Sequence, residues 1–148
     1  ASTYVFRLAE ATTAAVRTLF NRRGALRLWP APGRPMIVEV ATSGEAFPAR
    51  VRDLSMSGMA FLVNVGDEPR MRKQSGLRLR FKPNARELDV VAHVRHCNLD
   101  GDSIVYGVEF DAAATPKFED ATEEILSWVR RREIEIVRAA HDAADRPS

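Results

Sequence analysis

The chain carries one cysteine, Cys97, among 148 residues, so no disulfide can close within it, and the sequence suits a reducing compartment. It lacks any apolar run near the roughly 20 residues that a membrane-spanning helix needs. Its N-terminus has no basic stretch followed by an apolar core and a cleavage site. Membrane insertion and secretion are therefore not expected, and the expected location is the cytoplasm. Strong charge of one sign is also missing, since 22 Lys and Arg stand against 20 Asp and Glu, a net +2. So weak a global field gives no argument for nucleic acid, and any basic chemistry must be local. Aromatic residues make up 7% of the chain, and Trp29 is the obvious one beside a cluster of arginines. A surface for single-stranded nucleic acid would interleave several aromatic platforms with its cations, which makes that function a weak alternative. There is no internal repeat and no low-complexity segment.

What is present is a length suited to one domain and a change of periodicity along it. Val5, Leu8, Thr12, Ala15, Val16 and Leu19 recur at three- and four-residue spacings, predicting an amphipathic N-terminal helix over residues 1–21. "ALRLW" reads as a short strand, and "PAPGRP" (Pro30 to Pro35) as a loop, because its prolines fix φ and remove N–H donors. Six short strand-like runs follow: "MIVEVA", "FPARVRDLS", "MAFLV", "LRLRF", "LDVVAHVRHC" and "IVYGVEF". Turn residues separate them, including Ser43-Gly44, Ser75-Gly76, Pro83-Asn84 and Asp100-Gly101. Six antiparallel strands must bury one face, and a small β-barrel is the economical solution. Residues 22–112 are assigned to it. The remainder, 113–148, reads as a long helix with Thr115 as N-cap, Pro116 at the first helical position and an apolar stripe of Ile125, Trp128, Val129 and Ile136. The tail from Asp142 is expected to fray. The fold class is thus mainly β with flanking helices. The closing helix is longer than covering a barrel requires, and it can either form a homodimer or pack on its own barrel.

Two motifs carry the chemistry. The first is Arg23-Gly-Ala-Leu-Arg27, an R-x-x-x-R preceded by Arg22; the second is Asp53-Leu-Ser55-Met-Ser-Gly58, a D-x-S-x-x-G. Taken singly, the arginines read as a solvated surface feature. The second motif alone reads as a turn, with Asp53 and Ser55 bonding local N–H groups and Gly58 supplying a positive φ.

In this order, and followed by "VVAHVRHCNLDGDSIVYGVEF" ending at Gly107-Val-Glu-Phe110, the combination resembles the PilZ domain family over about residues 20 to 112. The resemblance implies a six-stranded antiparallel barrel with a helix near one end. It also implies a non-catalytic bacterial receptor for cyclic di-GMP that relays its signal to a downstream protein not identified by the sequence. No cofactor is implied beyond that ligand. Residue by residue, Arg23 and Arg27 match the first motif, and Asp53, Ser55 and Gly58 the second, without substitution. In the family, an arginine in the position of Arg22 goes with capture of an intercalated ligand dimer, so two ligands per chain are expected. Arg95 is a weaker third element whose simpler reading is an outward strand residue.

The residue types suit such a ligand on chemical grounds. Cyclic di-GMP presents two phosphodiester anions and two guanines, and a guanidinium can bond phosphate bidentately, pair with guanine O6 and N7, or stack on the base. Asp53 can accept from the guanine N1–H and N2–H₂ edge, Ser55 can donate to phosphate or accept from an amino group, and Gly58 allows close approach of the backbone. With the arginines on a flexible segment and the second motif on a turn, binding would order the segment.

Other readings are weaker. His93, His96 and Cys97 invite a zinc site, but on a regular strand His93 and Cys97 share a face at roughly 13 Å while His96 points away. A buried thiol and ordinary strand histidines are expected instead. A hydrolase built on Ser55 or Ser57 lacks a G-x-S-x-G elbow. The basic segment "GDEPRMRKQSG" (Gly66 to Gly76) is expected to be a solvated hairpin loop rather than a partner surface. A module that keeps the motifs but works chiefly through protein contacts remains open as an alternative function.

Overall fold

The structure is a computed structural model that describes residues 26–67, 71 and 76–145. The expected N-terminal helix, Arg22 and Arg23 lie outside the described residues. Six strands form: β1 (Ile37–Thr42), β2 (Glu45–Leu54), β3 (Gly58–Asn64), β4 (Gly76–Phe81), β5 (Leu88–Asp100) and β6 (Ser103–Phe110). They close into an antiparallel barrel in the order β1-β2-β3-β6-β5-β4. Closure leaves the sheet without an edge along the barrel wall, as six strands with one apolar face require.

Alternation does most of the work. In β4, Leu77, Leu79 and Phe81 are buried between exposed Arg78 and Arg80, and in β2 Phe47, Ala49 and Val51 point the same way. Each large apolar side chain so buried contributes about 1.5–3 kcal/mol. Phe61 stacks with Tyr106, and Phe81 with Phe110, both at 6.2 Å between centroids.

Since β3 pairs with β2 and β6, and β4 with β1 and β5, the Gly66 to Gly76 segment crosses between non-adjacent strands and closes no hairpin. Met71 within it is buried in the core, which corrects the expectation of a merely solvated loop. "ALRLW" does not become a strand either. Leu28 alone pairs, in an isolated antiparallel bridge to Leu54.

The chain closes with α1 (Phe118–Asp145), which includes Asp142 and three residues after it that were expected to fray. Ala121, Ile125, Trp128, Val129 and Ile136 lie on one stripe and are buried in the barrel's own core cluster. Thr115 is not the N-cap. Its hydroxyl donates to the Asp111 carbonyl (2.7 Å) and accepts from the Val91 N–H (3.0 Å), tying the approach of the helix to β5. The first turn is instead received by the carbonyl of Lys117, which sits at φ 55° in the left-handed region.

Two β-bulges orient the outer face. One falls between Val51 and Asp53, the other between Val94 and His96. A bulge inserts one residue and shifts the in–out phase beyond it. Val51 and Leu54 can therefore both face the core, with Arg52 and Asp53 turned outward between them. On β5 the bulge likewise leaves Arg95 and His96 together outside.

Candidate ligand-binding site

The two motifs meet where the segment before β1 reaches the β2–β3 turn. The Leu28 N–H donates to the Leu54 carbonyl (3.1 Å) and the Leu54 N–H to the Leu28 carbonyl (2.9 Å). This bridge fixes the end of the first motif against the start of the second. Arg27 Nη1 then donates to Asp53 Oδ1 at 3.0 Å, with the arginine side chain 43% and the aspartate 22% exposed. A half-exposed pair of this kind is worth less than about 1 kcal/mol.

Ser55 is fully buried at the turn. Its hydroxyl accepts the N–H groups of Gly58 (3.1 Å) and Ser57 (3.3 Å) and donates to the Gly58 carbonyl (3.2 Å), which also accepts the Ser55 N–H (2.9 Å). The turn is thus closed by its own serine, the simpler of the two readings of that residue. Gly58 does not have a positive φ; among the described glycines Gly44 and Gly101 do. A Cβ on Gly58 would instead sit 2.2 Å from the Val108 carbonyl oxygen, so close approach of β6 requires the glycine.

Gly58 is in register with Glu109 on β6, and Arg95 Nε donates to Glu109 Oε2 at 3.0 Å, both side chains exposed. The Arg27–Asp53 and Arg95–Glu109 pairs are thus two separate surface ion pairs linked through β3, where buried Gly58 is in register with Glu109. Sequence reasoning missed Glu109 as the partner of Arg95. Its position in Gly-Val-Glu-Phe, opposite a bulge that nothing in the sequence marks, hid its pairing with Arg95.

The histidines take different places from those expected. His96 is in register with Gly107, and its ring occupies the space where a Cβ at 107 would lie, 2.1 Å from Nε2. The bulge moves it to the outer face, and Cys97 is exposed rather than buried. His93 Nε2 lies 2.7 Å from Asp111 Oδ2. That hydrogen bond, helped by the Ala114 N–H on Oδ1 (3.0 Å), holds the Asp111 carboxyl below the usual carboxylate range. Among the described residues no group of three His, Cys, Asp or Glu is placed to hold a metal ion.

Downstream of the site, Trp29 packs partly against the core and is not an open stacking platform. Its carbonyl accepts from Arg132 Nε of α1 at 2.7 Å, and the Arg132 guanidinium lies 6.0 Å from its ring.

A family model described as "PilZ domain" matches residues 21–127. The chain belongs to the PilZ domain family. Its barrel is similar to the PilZ domain of YcgR from Escherichia coli, solved with c-di-GMP, at 18% identity and a TM-score of 0.56, over 84% of this chain and 99% of that one. It is also similar to the Bacillus subtilis inhibitor of motility MotI (20%, TM-score 0.56) over 74% of this chain and 51% of that one. The K. pneumonia MrkH–c-di-GMP complex is a further likeness, at 15% identity and a TM-score of 0.58, over 78% and 54%. The chain thus spans about half the length of MotI and MrkH. No curated protein matches it. Among the described residues no helix is long and apolar enough to cross a membrane.

Proposed function

We propose that this PilZ chain is a non-catalytic receptor for cyclic di-GMP. The observation that carries the reading is the Arg27–Asp53 contact: the fold brings one residue of each motif within 3.0 Å on a solvent-facing surface. YcgR and MrkH, which share the fold, are solved with that ligand. No enzyme family is indicated by the PilZ match.

In the proposed mechanism, the weak Arg27–Asp53 pair exchanges for stronger bidentate contacts. The guanidinium turns to phosphate or a guanine edge, and the Asp53 carboxylate accepts from guanine N1–H and N2–H₂. Ser55 keeps the turn in shape, and Gly58 keeps it against β6. Arg23 adds a second fork from the preceding segment, Arg22 serves a second, intercalated ligand, and Arg95 contributes from β5 by releasing Glu109. The segment closes about Leu28 and Trp29, which the Leu54 bridge and Arg132 hold to the barrel and to α1. The bias toward the closed state equals the contacts that exist in it alone, and it is what a downstream protein would read.

A competition titration with cyclic di-GMP, GTP and a short oligonucleotide tests the reading. Preference for the cyclic dinucleotide at micromolar or tighter affinity is expected. Equal or tighter binding of the oligonucleotide would replace it with the nucleic-acid alternative.

A further inference from the structure

A second basic feature lies away from the motifs. A recess of about 200 Å³ opens between α1, the loop entering β1 and the β4–β5 connection. Four cations line it, Arg34, Lys82, Arg131 and Arg132, against one carboxylate, Glu135. In a chain with a net charge of +2, this is a concentrated positive patch.

The cations are held in place by the fold. The Arg34 N–H donates to the Ala31 carbonyl (2.9 Å), closing a Pro32-Gly33 turn that brings Arg34 back to the helix, where its guanidinium pairs with Glu135 Oε2. Arg132 is 7% exposed and is fixed by the Trp29 carbonyl, with Nη1 3.6 Å from Glu135 Oε1. Burial chiefly, and the nearby Arg34 charge in part, disfavour its cationic form, while Glu135 favours it. Arg131 reaches the Pro83 carbonyl at 3.5 Å, and the neighbouring Lys82 is exposed in the lining. Glu135 is thus divided between two arginines, which leaves excess positive charge facing the opening.

We propose that this recess is a second anion site, specific for a phosphate group, either free or as the phosphomonoester of a small metabolite. Arg34, Lys82 and Arg131 line the recess from three different elements, so an anion within it can take donors from more than one side. A tetrahedral phosphate offers oxygens to several sides, whereas a planar carboxylate offers two. The volume is below the about 300 Å³ at which pockets enclosing drug-sized ligands begin, so a cyclic dinucleotide does not fit inside it. Ile37 and Trp128 in the lining supply apolar surface for the carbon part of an ester.

Occupancy would add a bond between α1 and the segment that leads from Arg27 into β1. It would therefore stiffen the point about which the proposed closure turns. The site itself does not depend on cyclic di-GMP binding.

The test is calorimetry at constant ionic strength with inorganic phosphate and phenyl phosphate on the full chain. Saturable one-to-one binding is expected, weakened at least about tenfold by Lys82→Ala with Arg131→Ala, and also by Lys82→Glu alone, which alters an exposed residue and leaves the fold intact. Arg27→Ala should leave it unchanged, which separates this site from the motif site. Tighter binding of the phenyl ester would assign the site to phosphomonoesters, equal binding to free phosphate. The absence of saturable phosphate binding, or an equal loss in a control with Arg78→Ala and Arg80→Ala, would overturn the proposal.

Discussion

Arg27 and Asp53 neutralise one another on an exposed surface, and under the proposed function the smallness of that interaction leaves both available to a ligand. Replacing Arg27 by alanine removes less than about 1 kcal/mol of folding stability, so the melting temperature should fall by no more than about 4 °C. Ligand affinity should fall at least about a hundredfold, the loss of a charge-assisted fork. A large drop in melting temperature would make Arg27 structural. Gly58 should behave oppositely. Alanine there meets the Val108 carbonyl at 2.2 Å and should cost about 2–3 kcal/mol by urea unfolding without any ligand present. An unaltered midpoint would show that β6 can move away. For Arg22→Leu, the calorimetric ratio should fall from two ligands per chain to one, and an unchanged ratio would remove its proposed role. The motif residues stand out in sequence because their types match the chemistry of the proposed ligand. Ser55 closing its own turn was legible too, whereas the need for Gly58 was misplaced, since it answers to the Val108 carbonyl of β6 and not to a positive φ.

At the scale of elements, α1 and the β5–β6 region set the site's surroundings. Ile125 is fully buried between helix and barrel, so Ile125→Ala should destabilise the whole domain by about 2–5 kcal/mol in a single cooperative transition. A separate helix transition would mean the two elements fold independently. The His93–Asp111 contact joins β5 to the approach to α1. Because Asp111 titrates below its ordinary value of 3.8 in the folded state, its contribution is present above that pH and is lost as pH falls through the lower folded value. Asp111→Asn should therefore lower the melting temperature between pH 5 and 7, and the gap from wild type should shrink as pH falls below 3.8 and through the lower folded value. A gap that persists in acid would point to the loss of packing instead. The strands and the apolar stripe of α1 could be read from period-two and helical spacing. The bulges could not, since Arg52 and Arg95 look like any exposed strand arginines until register is known. Thr115 misled for a similar reason: threonine before proline suits an N-cap, but a backbone N–H of β5 claims its hydroxyl.

For the whole molecule, the closed barrel carries the second motif, and Arg27 of the first lies on the segment that enters it. Composition and strand count led to a six-stranded barrel, because six half-apolar strands have few ways to hide one face. The strand order was beyond reach, since β3 pairing with β6 depends on a crossing segment whose only core anchor among the described residues is Met71. The central claim is that the two motifs form one cyclic di-GMP site on this frame. Its most direct test is calorimetric titration of cyclic di-GMP into wild type, Arg27→Ala and Asp53→Ala, with melting curves of all three proteins. The account predicts micromolar or tighter binding to wild type, binding lost in both variants, and three nearly coincident melts. Saturable wild-type binding that survives both substitutions would contradict it.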